Sequence, residues 1–303
     1  MTLLAHISDI HLGPLPAVRL RELANKRVFG YVNWRRRSQT YDLGVLAAIT
    51  DDLHAAHPDH IAVTGDLVNL GLDAEYDAAL DWLKTLGSPH DVTVVPGNHD
   101  AYLHRSVARY SKTWLPYANG DHPNPTMAFP FVRRRGPLAL IGLSTAVATG
   151  PFMATGHMDE EQAEAFGKAL AETGKEGLCR VVLIHHPPVA ALTTWPRRLV
   201  RASLVRKQIA RHGAEAVLHG HNHRTTIAYL DGPHGPVPVI GAAAPSIMPN
   251  AHHPGGAYNL LQIEKTRGGY SIAMTERGFR DGAITTVSEE MLGAAAQPTA
   301  TQA

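Results

Sequence analysis

The chain has almost no cysteine, no excess of either charge and no long apolar run, and each deficit removes a class of protein. Cys179 is the single cysteine among 303 residues, so neither an intrachain disulfide framework nor a thiolate zinc site can form, as in a reducing compartment. It reads as a small buried hydrophobe. Twenty-eight Lys and Arg stand against 27 Asp and Glu, so no global field marks a nucleic-acid binder or a protein for strongly acidic ligands. Any basic character must be local. No stretch approaches the roughly 20 apolar residues of a membrane-spanning helix, and the opening MTLLAHISDI lacks the charged start and apolar run of a secretory signal. A cytoplasmic protein is expected.

What is plentiful is histidine, with 19 residues, the commonest side chain in metal sites. Short apolar runs alternate with helical patterns, the layout of an α/β layered domain. Strands are predicted at 3–8, 61–64, 92–95, 180–184 and 215–218, with a hairpin over 131–144 broken at Gly136-Pro137. Helices are predicted near 43–53, 74–86, 159–172 and 202–212 from apolar spacings of three and four. From Arg224 the pattern turns to hairpins, about 224–276, with Gly268-Gly269 as a turn. This predicts two sheets packed together and flanked by helices, one domain over 1–291, and a small polar tail over 292–303 that reads as disordered.

Polar residues follow the strands in a series. Asp9-Ile10-His11, Gly65-Asp66, Gly97-Asn98-His99-Asp100, His185-His186 and Gly220-His221-Asn222-His223 each begin within two residues of the end of a predicted strand. In open α/β sheets, ligands bind beyond the carboxyl ends of the strands, so five such ends can share one crevice. Oxygen and imidazole donors without thiolate suit manganese, iron, cobalt or zinc in a catalytic role. On an extended strand end, Asp9 and His11 would face one way, while His185 and His186 would face opposite ways. Alone, Gly65-Asp66 would be an ordinary turn and Asp100 an ordinary helix cap.

In this order and context, the motifs D-x-H, G-D, G-N-H-D, H and G-H-x-H resemble those of the calcineurin-like metallophosphoesterase superfamily. The resemblance spans Asp9 to His223 and implies an α/β four-layer sandwich of two central mixed β-sheets flanked by helices. It also implies two divalent or mixed-valence metal ions. Asp9, His11 and His223 would hold the first, Asn98, His185 and His221 the second, and Asp66 would bridge them. In such a centre, ions about 3.5 to 4 Å apart clamp a phosphoryl group and lower the pKa of a water to about 7, giving a bridging hydroxide nucleophile. His99 matches the family's catalytic histidine, which helps the leaving oxygen depart; Asp100 would orient its imidazole. The family pattern makes His185 the ligand, and His186 then faces away as a supporting or packing group.

The resemblance implies a phosphodiesterase acting on a small anionic phosphoester, of cyclic-nucleotide or glycerophosphodiester type. A pyrophosphatase for a nucleotide-linked lipid precursor, a broad phosphomonoesterase and a non-catalytic binding scaffold are the other readings. The balanced charge offers no groove for a nucleic-acid duplex. Some relatives dimerise through C-terminal hairpins, so a homodimer is one expected state. Residues 14–42 form an insertion containing KRVFGYVNWRRR at 26–37. Either a helix packs Phe29, Val32 and Trp34 on the core and leaves its arginines in water, or the segment is a lid or a peripheral membrane contact. Trp195, Arg197 and Arg198 either border the substrate or belong to a basic loop. His6 and His219 read as core or supporting groups. His54, His57, His60, His90 and His212 read as solvated, and His252-His253 as surface or as reaching the rim of the site.

Overall fold

The computed structural model describes residues 1–37, 40–122, 124–250 and 253–292. In chain order its strands are β1 (Thr2–Ile7), β2 (His60–Val63), β3 (Val92–Val94), β4 (Phe131–Arg135), β5 (Leu138–Gly142), β6 (Gly156–His157), β7 (Cys179–Leu183), β8 (Leu199–Val200), β9 (Ala216–His219), β10 (Thr226–Leu230), β11 (Val237–Gly241), β12 (Ala257–Thr266), β13 (Gly269–Arg280) and β14 (Ala283–Leu292). The helices are α1 (Arg27–Arg37), α2 (Leu43–Ala55), α3 (Asp73–Leu86), α4 (His104–Trp114), α5 (Glu160–Lys175) and α6 (Ala202–His212). One mixed sheet has the order β14-β13-β12-β1-β2-β3 and the other β10-β11-β9-β7-β5-β4; β6 and β8 form a separate small pair.

Alternation along the strands makes three apolar layers. Leu4, Ala62, Val181, Leu183, Leu218 and Ile263 fill the space between the two sheets. Ala5, Ile7, Ile61 and Val63 point outward beneath α2, α3 and α4, and Val182, Ile184 and Val217 point outward beneath α5 and α6. Strands covered on both faces read as unbroken apolar runs, as 181–184 and 216–218 do. Cys179 lies buried in the central layer. Helix starts are set by side chains: Asp42 accepts from Val45 N at 3.0 Å and Asp159 from Gln162 N at 2.7 Å.

Several local expectations need correction. His60 opens β2 and is buried, with Nε2 2.7 Å from Thr93 Oγ1; its position beside an aspartate and a proline had resembled a solvated turn. Helix α4 went unpredicted because HRSVARYSKTW is mostly polar, yet Ser106, Tyr110 and Trp114 repeat every fourth residue and are buried. The hairpins do not stop at about 276, since β13 runs to Arg280 and β14 pairs with it as far as Leu292. Leu292 is therefore a buried strand end; the expected tail over 293–303 lies outside the described residues. No described helix is long and apolar enough to cross a membrane.

Candidate metal centre

Parallel pairing brings the strand ends together. The register Leu4 with His60 through Ile7 with Val63 aligns the ends of β1 and β2, and Leu183 with Leu218 aligns those of β7 and β9. The loops then continue the pairing: Asp9 N donates to Gly65 O at 2.9 Å, His11 N to Asp66 O at 3.0 Å and Gly220 N to His185 O at 3.1 Å. At these ends, bonds also cross between the sheets. His185 Nδ1 lies 2.7 Å from Thr64 O, and His221 N donates to Asp9 Oδ2 at 2.9 Å.

Asp9 and His11 are not on an extended strand end, since β1 stops at Ile7. Both are left-handed, with φ of 57° and 44°, and so are Asp66 (55°), His221 (73°) and His223 (56°). Left-handed backbone costs about 1–2 kcal/mol for a residue with a Cβ. Five such residues at one place, each pinned by its loop, place backbone strain where side chains must converge. The motif glycines permit the approach. A Cβ on Gly97 would collide with the Asp66 carboxylate, and one on Gly220 with Ser8 Oγ.

Among the described residues, two groups of potential ligands form. Asp9, His11, Asp66 and His223 present ligand atoms within 4.8 Å of one another, and so do His185, His186 and His221. Asp66 links the groups: its Oδ2 lies 3.3 Å from His185 Nε2 and 3.9 Å from His11 Nε2. His185 Nε2 is also 3.2 Å from Asn98 Oδ1, and His223 Nε2 is 3.3 Å from Asp9 Oδ1. All seven expected ligands thus surround one region.

The electrostatics fit cations. Burial opposes ionisation of Asp66, but His185, His99 and His11 outweigh it and hold the carboxyl well below its ordinary range. Burial also lowers His185, yet the Asp66 and Asp9 carboxylates raise it further, to about 9. This corner of the site therefore favours a positive charge. Burial keeps His11 and His221 neutral, well below the ordinary imidazole range, with lone pairs able to ligate a metal.

Asp100 does not orient His99. Its carboxylate accepts from the backbone amides of Asp66, Leu67, Val68 and Gly97 at 2.8 to 3.3 Å. Burial and the neighbouring Asp66 push it up, to about 7, while the Gly97 and Val68 amides pull it back. The His99 imidazole is set by Asn69, whose carbonyl oxygen is 2.6 Å from Nδ1. Because a carbonyl only accepts, Nδ1 carries the hydrogen.

His186 does not face away either. Its ring centroid is 4.4 Å from that of His221 and 4.9 Å from that of His185. Nδ1 lies 2.8 Å from Thr145 Oγ1, and Nε2 is buried without a well-formed hydrogen bond. The loop after the paired histidines belongs to the site: Arg197 donates to His221 O, and His221 Nε2 lies 2.8 Å from Arg197 O. Asn69, Thr145 and Arg197 were absent from the expected site. Only Arg197 carried a signal, its place in a basic loop following His185. His253 lines the crevice, the second of its two readings; His252 lies outside the described residues.

A two-sheet α/β sandwich with carboxylate and imidazole donors gathered at its strand ends is the architecture of a metal-dependent hydrolase. The chain belongs to the calcineurin-like phosphoesterase family, whose model matches residues 2–225. It is 25% identical over 189 residues, 62% of its own length, to a glycerophosphodiester phosphodiesterase from Enterobacter lignolyticus (strain SCF1), and spans 57% of that relative. The fold resembles a dimetal phosphatase from Danio rerio, with TM-score 0.55 and 14% identity over 95% of this chain and 98% of that one. It also resembles a purple acid phosphatase from yellow lupin (Lupinus luteus), with TM-score 0.59 and 12% identity over 94% of this chain and 52% of that one.

Proposed function

We propose that the chain hydrolyses phosphodiesters at a two-metal centre. The observation that carries the diester reading is the shape of the crevice: two clefts meet at Asn98 and His99. A phosphorus atom held there could send one ester arm into each cleft, whereas a monoester would fill one. A glycerophosphodiester phosphodiesterase among the relatives supports the same reading.

Asp9, His11 and His223 would hold one ion, Asn98, His185 and His221 the other, with Asp66 between them. Bound ions, of manganese, iron, zinc or cobalt type, would polarise the phosphoryl oxygens and activate water. The protein's part is positional. Asp100 fixes the Asp66 and Gly97 backbone, and so the bridging carboxylate. Asn69 fixes Nδ1 of His99 as a donor, and the imidazole would exchange a proton with the leaving oxygen through Nε2; such help contributes about 100- to 10,000-fold. Arg197, bonded to the His221 backbone, brings a positive charge to the mouth of both clefts. We take residues 1–292 as one domain, and the single cysteine as fitting a cytoplasmic location.

The test is turnover of bis-p-nitrophenyl phosphate against p-nitrophenyl phosphate with added manganese. Faster hydrolysis of the diester is expected. Much faster hydrolysis of the monoester would overturn the assignment.

A further inference from the structure

The two clefts differ in their aromatic content. The wider one, 790 Å³, mixes Asn222, Arg224, Thr226 and His253 with Leu192 and Ile247. The narrower one, 330 Å³, has Asn98 and His99 at its inner end and Phe29, Trp34, Tyr102, Phe152 and Met153 along its walls. A mixed groove and an aromatic-walled groove therefore leave the same point.

The aromatic groove is built, though its rim lies in water. Phe29 is 46% and Phe152 77% exposed, and their ring centroids are 5.2 Å apart. Val28 and Val32 add further exposed apolar surface on α1. Phe152 has φ of 61°, an outlying conformation for a bulky residue, so its backbone is bent although its ring gains little burial. The supporting contacts are specific. Arg27, 2% exposed, donates Nε to Leu70 O at 2.8 Å and bonds Gly71 O, fixing the start of α1. Lys26 Nζ donates to Thr149 O at 2.6 Å, tying the same segment to the loop carrying Phe152. Gly30 lets α1 rest against the Tyr102 hydroxyl, and the Tyr102 ring centroid is 5.9 Å from that of His99. Exposed apolar surface continuous with a reaction centre fits an apolar ligand group.

Resting on the diesterase reading, we infer that the substrate is an amphiphilic phosphodiester. Its alkyl or acylglycerol arm would lie in the aromatic groove and its polar alcohol arm in the wider one. Full burial of a methylene is worth about fourfold in affinity; a half-open groove should give about twofold per methylene.

The experiment uses metal-loaded protein and glycerophospho-alkyl diesters from methyl to octyl, below their micelle-forming concentrations, with products measured by mass spectrometry. Binding of alkylphosphonates of the same lengths is followed by calorimetry, a readout independent of turnover. Both kcat/KM and affinity should rise about twofold per methylene. The octyl-to-methyl ratio should fall at least tenfold in Phe29→Ser/Phe152→Ser, and partly in Phe152→Ser alone. If the methyl diester is hydrolysed and neither series depends on chain length, this inference fails and the diesterase reading stands. Turnover of monoesters without turnover of any diester overturns both. A rate increase confined to micellar substrate, with vesicle binding lost in the double variant, assigns the patch to a lipid surface and overturns the groove.

Discussion

The ends of β1, β2, β7 and β9 and the arm that includes α1 both border the crevice, yet they are made on opposite principles. At the strand ends, Asp9, Asp66, His185 and His221 are almost wholly buried. Their backbone is held by bonds between loops, and three neighbouring glycines leave no room for a Cβ. On the arm, Phe29 and Val32 face solvent, and among the described residues the one buried polar anchor is Arg27. The contrast teaches where tolerance lies. Geometry for chemistry is overdetermined by the frame, whereas the aromatic groove rests on a few ties and can be remodelled cheaply.

The largest effects should fall on the frame, and the paired histidines grade it. His185→Ala removes an imidazole between Asp66 and Asn98. A drop of about 1,000-fold in kcat/KM is expected, with elemental analysis showing loss of one of two metal equivalents. His186→Ala removes a ring that supports His221 through packing and takes its own orientation from Thr145. Loss of such a supporting group weakens metal affinity by about 10- to 100-fold, and both equivalents should return at high metal. Equal loss of stoichiometry in the two variants would break the distinction and make His186 a ligand.

Next comes the contrast in stability. Asp100→Ala leaves four backbone amides around Asp66 and Gly97 without their acceptor. Each buried unpaired group costs about 1–3 kcal/mol, so urea unfolding of the metal-free protein should show a loss of at least about 3 kcal/mol. Phe29→Ser should cost less, about 1 kcal/mol, because its ring is already 46% exposed. Comparable losses would mean that the arm is part of the structural core.

This division also explains what could be read in the sequence. The positions that converge on the crevice were legible because their motifs follow predicted strand ends, and the layering followed from strands apolar on both faces. The roles of Asp100 and His186 were not, because both depend on backbone direction. A left-handed turn at Asp66 aims its loop amides at Asp100, and no spacing rule for an extended strand anticipates that. The arm misled for another reason. Phe29 and Val32 at three-residue spacing normally mark a buried helix face, whereas here the buried residue on α1 is a charged one, Arg27.

A smaller effect than that of Asp100→Ala is expected at the end of the frame farthest along β2 from the metal centre. His60 is buried, and burial, aided by Arg135 and Arg133, lowers its pKa from 6.5 to about 3. The folded protein therefore keeps this imidazole neutral at pH 5, while the unfolded chain binds a proton below about 6.5. Stability from this group is complete above pH 6.5 and declines as pH falls toward 3, by up to about 1.4 kcal/mol per pH unit. His6 and His219 are lowered too, to about 3 and about 4, so the parent protein has several such slopes. Comparing parent and His60→Gln between pH 7 and pH 5 isolates one of them, since the other histidines are common to both. The parent should lose about 1–2 kcal/mol more than the variant in urea unfolding over that interval. If the two lose the same amount, His60 is hydrated or already charged in the folded state, and the acid sensitivity of the frame belongs to the histidines nearer its ligands.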